Sequence, residues 1–176
     1  MKRFFFCLFF ITPVIFSDSS IVTKKYEKES ENLLKKVTSW RHHLHEYPEL
    51  SNREFKTAEY IEKHLRNLGL EVETGIAKTG IVAYLKGTKP GPLVALRADM
   101  DALPVVEKTG LPYASTQRST YNGLDVGVMH ACGHDAHMAI LMGVAEFFAK
   151  NRNKIPGSIM FIFQPAEEGP PVGEDG

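Results

Sequence analysis

A chain of 176 residues is long enough to bury one sizeable core, and its 21 basic and 21 acidic residues cancel. No basic stretch is interleaved with aromatic residues, so nucleic acid is excluded as an expected partner. The first segment, Met1 to about Ser19, reads as a secretory signal peptide. Lys2-Arg3 is a short positive region, Phe4 to Phe16 is apolar but for Thr12 and Pro13, and small polar residues follow. The run falls short of the ~20 apolar residues that span a bilayer. The expectation is therefore a mature domain over residues 20–176 in the secretory pathway, the endoplasmic reticulum lumen or the extracellular space, with no membrane contact after cleavage. Cleavage removes Cys7 and leaves Cys132 without an internal partner, so Cys132 is expected to be buried or bound to a metal.

Tyr26 to Glu46 has helical periodicity, with Leu33, Leu34, Val37, Trp40 and Leu44 on one stripe and Pro48 just beyond. His42, His43 and His45 fall in its last turn, where a helix C-terminus favours imidazolium. A second metal site there is weaker than the capping and surface reading. Ser51 to Glu54 matches the S-x-x-E capping box and opens a second helix, striped by Phe55, Ala58, Ile61, Leu65 and Leu68 and ended by Gly69. Leu70 to Glu73 and Ile81 to Leu85 read as strands, and Thr88 to Pro92 as a turn or short loop. Pro92 to Ala98 is a near-continuous apolar strand of the kind buried on both faces, running into Asp99-Met-Asp101. Val105 to Val128, rich in Gly, Pro, Ser and Thr, predicts a long excursion over the rim of a site. Ala136 to Lys150 is an amphipathic helix, and Gly157 to Phe163 a buried strand ending near Glu167-Glu168. Helices alternating with buried strands predict an α/β layered sheet with flanking helices.

Between the excursion and the last helix stands His130-Ala-Cys-Gly-His-Asp-Ala-His137. Thiolate and neutral imidazole are ligands that borderline-soft divalent ions prefer, and carboxylate suits harder ones. Gly133 lets a short loop aim Cys132 and His134 at one point. The competing reading is a His-rich helix N-terminus whose His134 and His137 cap or pack. Open α/β sheets place ligand sites beyond the carboxyl ends of their strands. Asp99/Asp101, Cys132/His134 and Glu167/Glu168 converge there if all three segments leave the sheet on one edge.

Four ordered motifs carry a specific resemblance. Arg41-x-x-Leu-His45-x-x-Pro-Glu-Leu50, Leu96 to Pro104, Met129 to His137 and Phe163 to Gly169 resemble the metal-dependent N-acyl-amino-acid amidohydrolases, hippurate hydrolases and bacterial aminoacylases among them. With the leader in front, the chain is most similar to plant hydrolases of auxin conjugates. The resemblance spans roughly Val37 to Gly169 and implies a zinc-exopeptidase-like catalytic domain. It implies two divalent ions, Mn²⁺ or Zn²⁺, with Cys132, His134 and Glu168 as ligands and Glu167 as catalytic base. Asp101 matches an aspartate that supports the metal centre from behind its ligands, and Asp99 is left unassigned. The implied substrate is a small N-acyl amino acid, with indole-3-acetyl conjugates foremost, and a homodimer of the full-length protein is a further expectation. Two further histidine ligands and a lid or dimerisation domain are expected after Gly176, so the chain reads as an N-terminal portion, inactive alone. A non-catalytic metal-binding or interaction protein derived by truncation stays open beside the enzyme, and a general exopeptidase is a third reading.

Overall fold

The computed structural model describes residues 19–175, so the expected signal segment, but for Ser19, lies outside the described residues. Three helices, α1 (Ser19–Glu46), α2 (Phe55–Asn67) and α3 (His134–Lys150), accompany six strands. β1 (Glu71–Ile76), β2 (Gly80–Lys86), β6 (Pro156–Gln164) and β3 (Lys89–Asp99) form one sheet in the order β1-β2-β6-β3. β4 (Arg118–Tyr121) and β5 (Leu124–Gly127) form a separate hairpin. No helix among the described residues is long and apolar enough to cross a membrane.

The architecture is the α/β layered sheet expected from the alternating pattern. β6 is the central strand, antiparallel to β2 and parallel to β3. Its residues alternate, with Ile159, Phe161 and Phe163 turned into the core beside Leu85, Ala83 and Ile81 of β2. Ile61 and Leu65 of α2 and Met138, Leu141, Met142 and Ala145 of α3 close over that face. The helices thus cover one face of the sheet, and α1 lends Leu44 to the same cluster.

β3 departs from expectation. It begins at Lys89, inside the stretch read as a turn, and it is the edge strand rather than a strand buried on both faces. Leu93 and Val94 are exposed, and among the described residues β6 is the one strand paired with β3.

The capping box is also overturned. Glu54 stands at the N-cap of α2 with no side-chain cap bond, and Ser51 turns away to Asp101. Glu49 takes over the task, its Oε2 accepting from both the backbone N–H and the hydroxyl of Thr57. The excursion holds the β4–β5 hairpin, closed by Asn122 and Gly123 at φ 50° and 78°, the left-handed pair that a two-residue hairpin turn requires. Its Asn122 side chain accepts from the N–H of Val172, so the hairpin borders the segment that follows Glu167 and Glu168.

Candidate metal centre

Parallel pairing decides where the chemistry collects. Asp99, the last residue of β3, is in register with Gln164, the last residue of β6, so both strands release their chains on one edge. Beyond β3 the backbone stays pinned, with Met100 N–H donating to Gln164 O and Ala102 N–H to Glu49 O. Asp101 is thereby held rigid and buried between them. Beyond β6 the chain turns at once. Ala166 adopts φ 54°, and its N–H donates to the buried Glu54 carboxyl. Gly133, at φ 142°, turns the third segment into α3, whose first residue is His134.

Two of these segments, the loop into α3 and the turn after β6, bring Cys132, His134 and Glu168 together, one ligand atom of each lying within 4.8 Å of the others. His134 is oriented from behind. Its Nδ1 donates to the backbone carbonyl of Asp101 at 2.9 Å, which leaves Nε2 facing the carboxylates. Glu167 Oε2 lies 3.7 Å and Glu168 Oε1 3.9 Å from that nitrogen. Asp101 uses one carboxylate oxygen to accept from the Ser51 hydroxyl at 2.6 Å and the Glu168 N–H at 2.9 Å. Its other oxygen is buried without a hydrogen-bond partner and sits 3.4 Å from His134 Nδ1.

The charges follow from this crowding. Contact with Asp101 raises His134 to about 9, against the opposing effect of burial. The Cys132 thiol is pushed up, chiefly by its bond to Glu168 and then by burial and the neighbouring carboxylates. Burial pushes the Asp101 carboxyl upward, but bonds from His134, Ser51 and the Glu168 N–H outweigh it and hold the group low. A nest of acceptors that keeps protons on its softest donors is a cation site by composition: thiol, imidazole and carboxylate fit a divalent ion of the zinc or manganese kind.

Some expectations about single residues change. Cys132 is exposed, so of the two fates expected for it burial is ruled out. Glu167 and Glu168 sit in a turn rather than an extended segment, and both approach the same nitrogen of His134. They differ in exposure instead, at 42% for the Glu167 side chain and 22% for Glu168. The histidines of α1 are neither simple caps nor a second ligand set. His42 stacks on Tyr113 and His43 on Tyr60, while His45 is buried between Asp135 and Glu107 at 2.9 and 3.1 Å. Asp135, which also accepts from Arg41, couples that network to the first turn of α3. His130 is buried with both ring nitrogens unpartnered, and burial lowers it to about 4. Sequence reasoning missed Ser51, Glu54 and Asp135 as supports. The S-x-x-E spacing of the first two imitates a local motif, and only the tertiary fold shows their distant partners.

Fold and side-chain cluster together define an α/β sheet domain with a candidate divalent-cation site at one edge. More narrowly, residues 95–176 match the model of peptidase family M20/M25/M40, and the chain is similar to curated deacetylases and amidohydrolases. It is 45% identical over 159 residues to an N-acetyl-L-cysteine deacetylase of Bacillus subtilis, covering 89% of this chain and 36% of the relative. A thermostable carboxypeptidase of Saccharolobus solfataricus is 47% identical over 148 residues, covering 81% and 36%. A solved Bacillus subtilis structure, described as a dinuclear metal-binding peptidase of the M20 family, superposes with a TM-score of 0.70 at 41% identity, covering 78% of this chain and 36% of that one. The chain therefore spans about a third of the length of the curated relatives it matches.

Proposed function

We propose that this chain supplies part of the catalytic domain of an enzyme that hydrolyses the amide bond of N-acyl amino acids, working with the further two thirds of sequence that its relatives possess. One observation carries the reading: Cys132 and His134, neighbours on one loop, meet the sequence-distant Glu168 within 4.8 Å beside the carboxylate of Glu167. Cys132, His134 and Glu168 would hold a divalent ion, with a second close by as described for the solved relative. Such ions supply electrophilic polarisation of the scissile carbonyl and make a nearby water more acidic.

The remaining work falls to this chain's own groups. Glu167, the more exposed of the pair, reaches the mouth of the site and takes a proton from water, then passes it to the leaving amine. Asp101 keeps His134 in the tautomer that leaves Nε2 free, and fixes the Glu168 backbone by the bond from its N–H. Within the N-acyl amino acids, resemblance to the auxin-conjugate hydrolases favours indole-3-acetyl conjugates. Lys2-Arg3 and the apolar run to Phe16 favour delivery to the secretory pathway.

The test assays release of free amino acid from N-acetyl amino acids, hippurate and indole-3-acetyl-alanine in the presence of Mn²⁺ or Zn²⁺. The 176-residue chain alone is expected to be inactive, and a protein extended by downstream coding sequence to cleave at least one of them. In the extended protein Glu167→Gln lowers kcat by roughly 10²–10⁴-fold with metal content retained. Cys132→Ala and Glu168→Ala lose metal first and activity in consequence. Loss of metal from Glu167→Gln, with rate and metal both intact in Glu168→Ala, would exchange the two assignments.

A further inference from the structure

The consecutive residues Ser51, Asn52, Arg53 and Glu54, in the turn before α2, all reach towards the segment that follows β6. Glu54 accepts from the Ala166 N–H at 2.9 Å, and Ser51 donates to the Asp101 carboxylate that in turn accepts from the Glu168 N–H. Those bonds hold the near end of the loop that carries Glu167 and Glu168. Asn52 and Arg53 hold its far end. Arg53 donates from both terminal nitrogens to the Glu174 carboxylate, one to each oxygen, with Nη1 at 2.9 Å. Asn52 Nδ2 donates to the same carboxylate at 3.2 Å and to the Asp175 carbonyl at 2.8 Å. Lys78, between β1 and β2, adds a second cation at 3.3 Å. Between the two ends stand Gly169 and Gly173, at φ 99° and 87°, whose backbones would be free to swing if either end were released.

We propose that Arg53 and Glu174 are positioning residues for Glu167 and Glu168: their ion pair closes the far end of the glutamate loop and so fixes where the two carboxylates stand against His134. This rests on the metal-centre reading above and deepens it, because residues outside the cluster then set its geometry. An isolated pair with side chains 39% and 27% exposed would contribute little. Here the guanidinium fork engages both carboxylate oxygens, and Asn52 and Lys78 add donors to one of them, which makes the contact directional. Asn52 is itself buried and left-handed, at φ 64°, so the turn that presents it and Arg53 is fixed by its backbone.

Residue-resolved hydrogen exchange of the purified, cation-free 176-residue chain reads the loop directly. Arg53→Met and Glu174→Gln should each speed exchange of the Ala166 and Glu168 amides by about fivefold, the ceiling for so exposed a pair, with the amides of β6 unchanged. A pair that served only overall stability would speed exchange in β6 as well. The double variant should lose no more than either single one, because both remove the same link. Arg53→Lys keeps the charge without the fork and should recover part of the protection. Cobalt titration, followed by thiolate-to-cobalt charge transfer at Cys132, measures the consequence for the cluster. Affinity should fall about fivefold in Arg53→Met and in Glu174→Gln. It should stay at the wild-type level in Glu62→Gln, which breaks an ion pair with Arg66 elsewhere on the surface. Unchanged exchange at Ala166 and Glu168, or additive losses in the double variant, overturns the positioning role. So does faster exchange with undiminished cobalt affinity. Absence of the charge-transfer band from wild type would overturn the underlying metal reading instead, and hydrogen exchange alone would then judge Arg53 and Glu174.

Discussion

Glu54 is fully buried, and each of its carboxyl oxygens has one task. One accepts from the Thr79 hydroxyl at 2.7 Å and the other from the Ala166 N–H at 2.9 Å. The second bond secures a left-handed alanine one residue before Glu167, so a side chain remote from the cluster sets the direction in which the paired glutamates leave β6. Burial raises its carboxyl above the ordinary 4.5, with the two hydrogen bonds opposing. A raised folded value means that the stabilising contribution is complete below the unfolded value and is lost as pH rises through the folded one. Glu54→Gln keeps the shape but does not titrate, so its stability relative to wild type should improve from acid to neutral pH. Urea unfolding midpoints on both sides of the ordinary glutamate range measure this, and a constant difference would refute the raised value. Glu54→Ala leaves a buried hydroxyl and a buried N–H unsatisfied and should cost about 2–4 kcal/mol at either pH.

At the scale of elements, the start of the β3–β6 pair depends on backbone meeting backbone. Gly157 adopts φ 81°, and a Cβ there would lie 2.0 Å from the carbonyl oxygen of Pro92, where no flexible side chain can yield. This close approach coincides with the irregular register between Lys89 and Leu93, and it sets how the two parallel strands run to their common edge. Gly157→Ala should therefore cost about 3 kcal/mol or more. Gly110→Ala, also at positive φ but with nothing within 4 Å, should cost only about 1 kcal/mol. Equal losses in thermal unfolding would show that conformation, not contact, governs both. Such approaches are invisible in sequence, where Gly157 is one more apolar-strand residue. The elements themselves were legible where periodicity was long: α1, α2, α3 and β6 follow their apolar spacing. Legibility failed where a local pattern had a distant competitor, as at Ser51 and Glu54. It failed again where the signal was short, as at Asn122-Gly123, a strong hairpin marker concealed in a loop-like stretch. The site was legible as residue types, because Cys132, His134 and Glu168 stand in recognisable motifs. Its geometry was not, since the paired glutamates turn the same way and His45 and Asp135 pair across 90 residues.

For the molecule as a whole, the cluster joins three segments that the rest of the fold holds only from behind: the end of β3, the loop before α3 and the turn after β6. A cation bound at Cys132, His134 and Glu168 would cross-link the latter two and stabilise the native state by mass action, by ~2.7 kcal/mol at a hundredfold excess over Kd. For a domain of this size that corresponds to a rise in Tm of about 5–10 °C. The effect should be strongly pH-dependent, with opposite signs in the two states of loading. Without a cation, His134 is raised to about 9 by Asp101, so its contribution to stability is complete below the unfolded value of 6.5 and is lost as pH climbs through about 9. With a cation, the same proton and the elevated thiol proton of Cys132 must first be expelled, so affinity grows across that interval. The difference in Tm between Zn²⁺-loaded and chelator-treated chain should therefore widen steadily from neutral pH towards 9 and shrink in mild acid. Cys132→Ala should flatten the dependence, and calorimetry in buffers of different ionisation enthalpy should register proton release on loading. A Zn²⁺-induced shift that was constant over this range, or that survived Cys132→Ala unchanged, would place the ion away from the thiol and imidazole and sink the cross-link.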